Sequence, residues 1–364
     1  MSDARAPARP ADGPYEVRCL PVAGTENPYQ HLMMEGLAAH PALRVGHGAE
    51  GKLWAVLRTA LRDRPALVHF DWPDRYLFRN PDLLSPMSSA LFRAQLWIAR
   101  RLFGVRFAWT LHNLASHEGG LPRHARRARR ALARHAEWVR VFSDDTVPRA
   151  AASLGVDTSR FRVVPEGSYA GYYADGLSRP ESRERLGVRE EETLLVSLGG
   201  LRPYKGIEDL LDAFERVRRP GWRLVIAGRP LVADYAEAVQ RRAAAIPGAE
   251  VHARFVPDDE LQVYFGAADA AVYPFKKVEN SGSVILAMGF GVPVVAPAMG
   301  VLPTRLRQQA DLLYPEGEID EGLERFAAAA PERLRQIGEA NREAARATGW
   351  EAFGELVAET LAGG

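Results

Sequence analysis

The residues best suited to chemistry lie in two loops of the C-terminal half. The first, residues 197–206, has the sequence SLGGLRPYKG and carries Arg202 and Lys205 beside two adjacent glycines. The second, residues 280–283, has the sequence NSGS and leads into an apolar, helix-like run. Arginine binds two phosphate oxygens with its planar guanidinium, lysine supplies a point charge, and the first N–H groups of a helix attract anions. The two loops together predict a diphosphate site.

Each loop also has a simpler interpretation. Ser281 is a suitable N-cap for the helix that follows it, with no ligand involved. Arg202 and Lys205 can be solvated cations on a surface turn. The adjacent glycines at 199 and 200 favour the phosphate site, because glycine weakens a turn unless a close approach requires it. The Gly-Lys-Ser/Thr order of a Walker loop is absent, so the first loop is not of that type.

Strand-like and helix-like runs alternate through both halves of the chain, and the two loops follow apolar runs at 194–198 and 270–275. This alternation predicts an α/β protein with two doubly wound, Rossmann-like parallel sheets. Ligands of such sheets bind beyond the carboxyl ends of the strands, where the strand order reverses. We expect a disordered tail at 1–14, domains at 15–170 and 171–345, and a C-terminal helix at 346–364 that packs back on the N-terminal domain.

Composition excludes several classes of protein. The chain has 364 residues, of which 47% are hydrophobic and 26% charged, with a net charge of +1, so a general nucleic-acid-binding protein is not expected. The single cysteine, Cys19, excludes an intramolecular disulfide and a cysteine metal cluster, and it fits a cytoplasmic setting. Residues 1–13 lack the apolar core of a signal peptide. Residues 283–303 are uncharged, but glycines and prolines divide them, so we expect no membrane span.

Several motifs carry a resemblance to GT-B glycosyltransferases. In the C-terminal half they are GLRPYKG at 200–206, NSGS at 280–283 followed by LA at 286–287, and PVV at 293–295. In the N-terminal half they are NPY at 27–29, HFDWP at 69–73, TLHNL at 110–114, HE at 117–118 and PEGSY at 165–169. The N-terminal set is similar to a bacterial exopolysaccharide subgroup that includes GDP-mannose:glycolipid β-mannosyltransferases. The resemblance extends from Tyr15 to Trp350.

The resemblance implies two Rossmann-like domains facing a cleft, with an acceptor on the N-terminal domain and a nucleotide sugar on the C-terminal domain. It implies an inverting reaction with no metal cofactor, in which a GDP- or UDP-linked sugar is the substrate. Many retaining GT-B enzymes have glutamates at the positions of Leu286 and Val278, and Glu279 lies one residue after the second of these positions. The exopolysaccharide subgroup also lacks this pair of glutamates. Asp71 and Glu166 stand where the subgroup tends to have histidine, so the sugar and the acceptor stay open.

An inverting transfer needs a general base for the acceptor hydroxyl. Three residues after predicted strands qualify, in the order Asp71, His112 and Glu118. Asp71 directly follows a buried strand, and the side chain of histidine titrates near neutral pH. The alternatives are that Asp71 caps a turn, that His112 is a buried histidine bonded to the backbone, and that Glu118 is an ordinary loop residue.

The loop chemistry and the resemblance together assign the other site residues. We expect the donor diphosphate to be bound by Gly200, Arg202, Lys205, Asn280, Ser281, Gly282 and Ser283. We expect the nucleoside to lie near Gly228, Arg229, Arg254, Phe255 and Val256. We expect the acceptor to contact Asn27, Tyr29, Trp72, Glu166 and Tyr169, and we expect no metal ligand.

Residues 121–135 form a predicted helix that is rich in arginine. Its arginines are Arg123, Arg126, Arg127, Arg129, Arg130 and Arg134. Such a helix is either a solvated surface or a basic face for anionic lipid or a polyprenyl-pyrophosphate acceptor. The second interpretation predicts a cytoplasmic protein at the inner face of the plasma membrane.

The favoured function is transfer of a hexose, mannose first, from a nucleotide sugar to a glycolipid or glycan acceptor. Two alternatives stay open. One keeps the fold but uses a UDP-sugar and a small-molecule acceptor, and the other is a non-catalytic protein that binds sugar nucleotides or glycans. Hydrolysis of the donor would distinguish an enzyme from a binding protein.

Overall fold

The structure is a computed structural model, and it describes residues 13–24, 28–78, 84–114 and 121–363. The chain divides into two compact units, one of residues 1–167 with 349–364 and one of residues 168–348. Each unit is built on a parallel sheet of six strands. The two doubly wound α/β sheets predicted from the alternation of strands and helices are therefore confirmed. Most of the predicted tail, residues 1–12, lies outside the described residues.

The first unit winds about a sheet of order β2-β1-β3-β4-β5-β6, so the direction of winding reverses between β1 and β3. Its strands are β1 (Tyr15–Leu20), β2 (Leu43–His47), β3 (Leu67–Phe70), β4 (Arg106–Thr110), β5 (Ala136–Val141) and β6 (Phe161–Val163). Its helices are α1 (Tyr29–Ala38), α2 (Ala55–Asp63), α3 (Asp74–Leu77), α4 (Ser85–Phe103), α5 (Arg123–His135), α6 (Thr146–Leu154) and, from the end of the chain, α15 (Glu351–Ala362).

Helices cover both faces of this sheet. Side chains of α2 to α6 share one apolar core with the sheet, and side chains of α1 and α15 share the other. All four residues of β3 are buried, as expected for a central strand of a parallel sheet. Trp350, just before α15, lies against Gly36 and Gly167, where added Cβ atoms would come within 2.2 and 2.5 Å of its side chain.

The second unit has the sheet order β12-β11-β10-β7-β8-β9, and its winding reverses between β7 and β10. Its strands are β7 (Thr193–Leu198), β8 (Trp222–Ala227), β9 (Ala249–His252), β10 (Ala270–Val272), β11 (Val294–Pro297) and β12 (Leu313–Tyr314). Its helices are α7 (Arg179–Leu186), α8 (Ile207–Val217), α9 (Ala233–Ala244), α10 (Leu261–Ala267), α11 (Gly282–Gly289), α12 (Leu302–Arg305), α13 (Ile319–Ala328) and α14 (Pro331–Ala347).

The uncharged stretch 283–303 is divided between α11, a turn and β11. Val284 and Ala287 of the helix and Val294 of the strand are fully buried in one apolar core. Among the described residues, no helix has the length and apolar character that crossing a bilayer requires.

Candidate functional site

The two predicted phosphate loops leave neighbouring strands of the second unit, β7 and β10, where the strand order reverses. The backbone N–H of Lys276 donates to the carbonyl oxygen of Tyr204 at 3.1 Å and joins the loops. Gly206, with φ of +71°, permits this approach, because a Cβ there would lie 1.9 Å from the carbonyl oxygen of Pro274. Topology and one glycine thus bring together two loops that are distant in sequence.

The side chains of Lys205 and Ser283 meet beside Gly199. A Cβ built on Gly199, whose φ is +148°, would lie 3.2 Å from Ser283 Oγ and 3.7 Å from Lys205 Nζ. The ammonium of one loop and the hydroxyl of the other therefore border the same small space. A hydroxyl and an ammonium are both hydrogen-bond donors, so this space suits an anion such as a phosphate.

The start of α11 adds backbone donors to this space. Ser281 is the N-cap, and its Oγ accepts a hydrogen bond from the N–H of Val284 at 3.4 Å. No acceptor in the described part of the chain takes the N–H groups of Gly282 and Ser283. These groups carry the positive end of the helix dipole, which favours bound anions.

Burial and a neighbouring cation disfavour the positive charge of Lys205. Its side chain is partly buried, with Nζ 4.7 Å from the centre of the Phe275 ring. Burial, together with the charge of Arg202, lowers the pKa of Lys205 to about 8. Among the residues that the structure describes, no carboxylate forms an ion pair with Lys205 or Arg202. A bound diphosphate would relieve the repulsion between the two cations.

Three of the residues predicted to bind the nucleoside, Gly228, Arg229 and Phe255, come together next to this loop. A Cβ on Gly228 would lie 1.9 Å from the carbonyl oxygen of Gly199, so only glycine fits there. The guanidinium carbon of Arg229 lies 4.9 Å from the centre of the Phe255 ring, a cation–π contact. Phe255 is 47% exposed, which leaves an aromatic surface near the ends of β8 and β9 on which a base can stack.

The other two residues of the predicted nucleoside group, Arg254 and Val256, make contacts within the protein. Arg254 forms an ion pair with Glu260 and donates to Tyr264 Oη at 3.3 Å. The hydrogen bond with Glu260 is the main cause that raises the pKa of Arg254. The side chain of Val256 lies in an apolar core. A nucleoside near this turn would therefore meet the Val256 backbone rather than its side chain.

In the first unit, Asp71 follows β3 and His112 follows β4, next to the reversal of strand order. Asp71 is 1% exposed. Its Oδ2 accepts a hydrogen bond from Gln30 Nε2 at 2.9 Å, and its Oδ1 lies 3.5 Å from His112 Nε2 and 3.8 Å from His69 Nδ1. Burial raises the pKa of Asp71, but His69, His112 and Gln30 together hold it below its ordinary value. Asp71 is a buried carboxylate that positions its neighbours.

His112 reaches the surface of this cluster. Its ring stacks on Trp72 and meets Tyr29 edge-on, with both pairs of ring centres 4.8 Å apart. Its side chain is 12% exposed, in contrast to the enclosed carboxyl of Asp71. If the neutral ring carries its proton on Nε2, which faces Asp71, then Nδ1 has the lone pair that can accept a proton. Of the three predicted bases, His112 is thus best placed to contact a substrate, and Glu118 lies outside the described residues.

Below the pair lie two buried polar residues that the sequence motifs did not assign to the site. Arg140 is fully buried; its Nε donates to the Val164 carbonyl oxygen at 2.9 Å, and its guanidinium carbon lies 4.1 Å from the centre of the Phe353 ring. His69 Nε2 lies 2.9 Å from Thr110 Oγ1. Burial lowers the pKa of His69 to about 4, so it is neutral at neutral pH. Each is a polar residue inside an apolar strand, and His69 also opens the HFDWP motif.

The residues predicted to contact the acceptor fall into separate places. Tyr29 and Trp72 pack around His112, as described above, and Trp72 is partly exposed. Glu166 is 3% exposed and so lies under the surface. Asn27 lies outside the described residues. Only part of this group is therefore brought to the Asp71–His112 pair.

Tyr169 belongs to the second unit and lies at the donor loop. Its Oη is 3.0 Å from the position that a Cβ on Gly282 would occupy, at the first residue of α11. Tyr169 is 7% exposed, so its ring forms part of the wall beside the helix start. Its position fits a contact to the donor rather than to the acceptor.

The arginine-rich helix α5 does not present all of its arginines to solvent. Arg129 is 5% exposed, and its Nε and Nη2 donate to the Asp74 carboxylate at 3.0 and 2.7 Å. Its Nη1 donates to the Leu114 carbonyl oxygen at 3.1 Å, which ties the end of β4 to the helix. The remaining arginines are exposed: Arg123, Arg126, Arg127, Arg130 and Arg134. Arg129 is therefore structural, and the exposed Arg130 also donates from Nε to the Leu154 carbonyl oxygen at 2.8 Å.

Comparison with known proteins gives the following relations. Residues 178–344 match the family model "Glycosyl transferases group 1". A GDP-mannose:glycolipid 4-beta-D-mannosyltransferase of Xanthomonas campestris pv. campestris is 30% identical over 241 residues, which cover 66% of this chain and 64% of that protein. A D-inositol 3-phosphate glycosyltransferase of Streptomyces griseus subsp. griseus is 30% identical over 299 residues, covering 72% and 63%. The matches span less than two thirds of either relative's length.

One solved structure is similar to nearly the full length of the chain. HepE of Anabaena in complex with UDP-glucose superposes with a TM-score of 0.71 at 16% identity, covering 96% of this chain and 100% of that chain. At this identity the likeness concerns the fold alone. Within the described ranges, no group of three or more His, Cys, Asp or Glu side chains is arranged to hold a metal ion.

Proposed function

We propose that this chain, whose residues 178–344 are a glycosyltransferase group 1 domain within a GT-B fold, transfers a hexose from a nucleotide sugar to a glycolipid or glycan acceptor. The observation that carries this proposal is the approach of Lys205 Nζ and Ser283 Oγ to one point beside Gly199. A nucleoside diphosphate leaves with negative charge, which has to be stabilised in the transition state. Arg202, Lys205 and the start of α11 supply that stabilisation without a metal cofactor.

GDP-mannose is the first candidate donor. Its support is the name of the relative from Xanthomonas, which is 30% identical to this chain. The alternative is a UDP-linked sugar with a small-molecule acceptor. The UDP-glucose bound to HepE supports the UDP-linked donor in this alternative. In either case the nucleotide sugar is a substrate. With GDP-mannose and a glycolipid acceptor, the reaction belongs to exopolysaccharide assembly.

We assign the general base to His112, with Asp71 as its positioning residue. In an inverting transfer the acceptor oxygen attacks the anomeric carbon while the bond to the diphosphate breaks, and the diphosphate leaves with the electron pair. The hydroxyl proton passes to a ring nitrogen of His112, and the ionised Asp71 stabilises the imidazolium that forms. The 3.5 Å separation of Asp71 Oδ1 and His112 Nε2 supports this pairing.

We place the protein in the cytoplasm, at the inner face of the plasma membrane. The support is the exposed arginines of α5, since basic residues are attracted to anionic lipid headgroups. A glycolipid acceptor is anchored in the same membrane. The described helices include none that would cross the bilayer, so in this proposal the attachment is peripheral.

The test compares Lys205→Ala with Lys277→Ala, because Lys277 is an exposed lysine between β10 and α11. We expect Lys205→Ala to weaken GDP binding and to lower donor turnover at least about tenfold, since a charge-assisted hydrogen bond contributes about 1.5–3 kcal/mol. Lys277→Ala should leave both unchanged. Equal binding and turnover in the two variants would remove the proposed diphosphate site.

A thermal-shift panel of UDP, GDP, ADP and dTDP with their sugars identifies the donor. A ligand present at a hundred times its dissociation constant stabilises the native state by about 2.7 kcal/mol. Donor binding with neither hydrolysis nor transfer would favour the non-catalytic binding protein over the enzyme.

A further inference from the structure

Strand β9 is an open edge of the sheet in the second unit. It pairs with β8 alone, in a regular parallel register over residues 249–252. The N–H of Gly228 donates to the carbonyl oxygen of His252 at 3.1 Å, so the backbone of His252 faces β8. Because successive residues of a strand point to opposite sides, the N–H and C=O of Val251 point away from the sheet.

A groove of about 620 Å³ lies at this edge. Its lining includes Val251 and Ala253 of the edge, Gln240 of α9 and Leu186 of α7, so helices flank the edge of the strand. Among the residues that the structure describes, none bonds to the outward N–H and C=O of Val251. Val251 is half-buried, and unpaired backbone groups in such a groove are a template for another strand.

β9 lacks the features by which edge strands usually avoid pairing. Such strands commonly carry lysine, proline or a β-bulge. The four residues of β9, with the sequence AEVH, include no lysine and no proline, and no bulge interrupts the pairing with β8. β12, the opposite edge of the same sheet, has only two residues. β9 is therefore the edge of this sheet that is better suited to accept a further strand.

We propose that β9 pairs antiparallel with β9 of a second copy of this chain, about a two-fold axis at Val251. A contact between identical edges closes on itself when a two-fold axis relates them. The N–H of Val251 in each copy donates to the carbonyl oxygen of Val251 in the other. The N–H of Ala253 in each copy donates to the carbonyl oxygen of Ala249 in the other, so four hydrogen bonds join the two sheets.

Charge selects this register among the possible ones. With the axis at Val251, Glu250 of each copy lies opposite His252 of the other, and the two copies form two complementary pairs. An axis at Glu250 would place the two carboxylates opposite each other, which is unfavourable. An axis at His252 would place Val251 opposite Ala253, which lies beyond the end of the strand.

The side chains of this complementary pair are held on one face of β9. Glu250 Oε2 lies 3.6 Å from His252 Nε2, and the two side chains are 45% and 30% exposed. Arg223 pairs with Glu250 Oε1, and His252 Nδ1 lies 2.9 Å from Tyr264 Oη. When Nδ1 accepts from that hydroxyl, Nε2–H is left to donate to a carboxylate. His252 therefore complements Glu250 of the second copy even when its ring is neutral.

The first experiment measures the mass of the full-length protein by sedimentation from about 1 to about 100 µM, where we expect a rise from one chain to two. Val251→Pro removes the two hydrogen bonds at the axis and spares the side that faces β8. It should raise the dissociation constant of the dimer at least about tenfold.

The matched control is Val45→Pro, at an outward-facing position of β2, the edge strand of the first unit. An axis at Val45 would place Arg44 opposite Gly46, which offers no charge complement. Val45→Pro should therefore dimerise as the unchanged protein does.

The second experiment does not depend on the folding of the proline variant. Cα atoms of a hydrogen-bonded antiparallel pair lie about 5.5 Å apart, within the range of a disulfide, so Val251→Cys should cross-link two copies under mild oxidation. The native Cys19 is buried, so the unchanged protein should not cross-link. Val45→Cys is the control.

The third experiment tests the register through charge. Glu250→Lys places two cations opposite two histidines and should weaken the dimer about fivefold or more. Adding His252→Glu to that variant restores opposite charges across the axis and should recover most of the loss.

Four results would overturn the inference. They are a single-chain mass at every concentration, equal dimerisation of Val251→Pro and Val45→Pro, no cross-link in Val251→Cys, and no recovery in the double charge variant. The dimer requires no nucleotide, so loss of dimerisation with intact GDP binding contradicts only the pairing of β9. Loss of GDP binding in Lys205→Ala does not affect it.

Discussion

Ser283 Oγ and Lys205 Nζ lie 3.2 and 3.7 Å from one point, the position that a Cβ on Gly199 would occupy. The two residues are 78 positions apart in the sequence. They are neighbours because β7 and β10 pair across the reversal of strand order. The arrangement leaves a hydroxyl, an ammonium and helix N–H groups around one space, which is the physical basis for binding a diphosphate there.

Nucleotide binding should depend on pH through Lys205. Its pKa is lowered to about 8 by burial and by Arg202, so the free protein loses this positive charge above that pH. A bound diphosphate favours the charged form, and we expect GDP affinity to fall about tenfold per unit as the pH rises above about 8. Calorimetric titration across this range measures the effect. Lys205→Arg keeps its positive charge over this range, so its GDP affinity should change little with pH. An affinity of the unchanged protein that does not vary with pH would contradict the prediction.

Gly206 should resist substitution by alanine. Its φ of +71° disfavours any other residue, and the added Cβ would lie 1.9 Å from the carbonyl oxygen of Pro274. We expect Gly206→Ala to lower the free energy of unfolding by more than about 2 kcal/mol and to weaken GDP binding by separating the loops. Denaturant unfolding and calorimetry measure the two effects.

Gly176→Ala is the control for this substitution. No atom lies within 4 Å of its Cβ position, so its effect on stability should stay within about 0.5 kcal/mol. Equal stability of the two variants would show that the approach of the loops does not depend on Gly206.

Much of this fold could be predicted from the sequence because buried parallel strands are apolar runs between helical patterns. β2 escapes that pattern because, as an edge strand, it buries only Leu43. The alternating run 250–256 predicts a longer strand than β9, which ends at His252, while Val256 still packs in the core. Helix α7 is highly polar, so hydrophobic periodicity does not reveal it.

The site was predictable to a different degree in each unit. Adjacent glycines near two cations identify the loop of Lys205, and a serine–glycine helix start identifies the loop of Ser283. The type of a residue does not determine the direction in which its side chain points. Arg129 points inward to Asp74, and Tyr169 lies beside Gly282. The burial of Asp71 depends on Gln30, which is 41 positions away and carries no motif of its own.

If the proposed transfer occurs, Asp71 and His112 should act as a unit. We expect His112→Ala to lower kcat by about 10²–10⁴, the usual contribution of a general base. Asp71→Asn should lower kcat with little change in donor KM and should alter the pH profile, since the amide cannot stabilise an imidazolium. Steady-state kinetics measure both variants.

His31→Ala, an exposed histidine on α1, serves as the control for the kinetic variants. If Asp71→Asn raised the donor KM and left kcat and the pH profile unchanged, Asp71 would belong to binding and not to the base. Additive losses in the double variant would mean that the two side chains act separately.

The first unit should lose stability in mild acid because of His69. Its pKa in the folded protein is lowered to about 4 by burial, against 6.5 ordinarily, so between these values the unfolded chain binds a proton that the folded chain does not. The free energy of unfolding should therefore fall by up to about 3 kcal/mol as pH drops from 6.5 to 4. Below that range the lowered pKa of Asp71 continues the loss. Denaturant unfolding at several pH values measures the slope of the free energy of unfolding against pH. His69→Gln should reduce this slope, and the control His31→Gln should leave it unchanged. An equal slope in His69→Gln would assign the acid sensitivity to other groups.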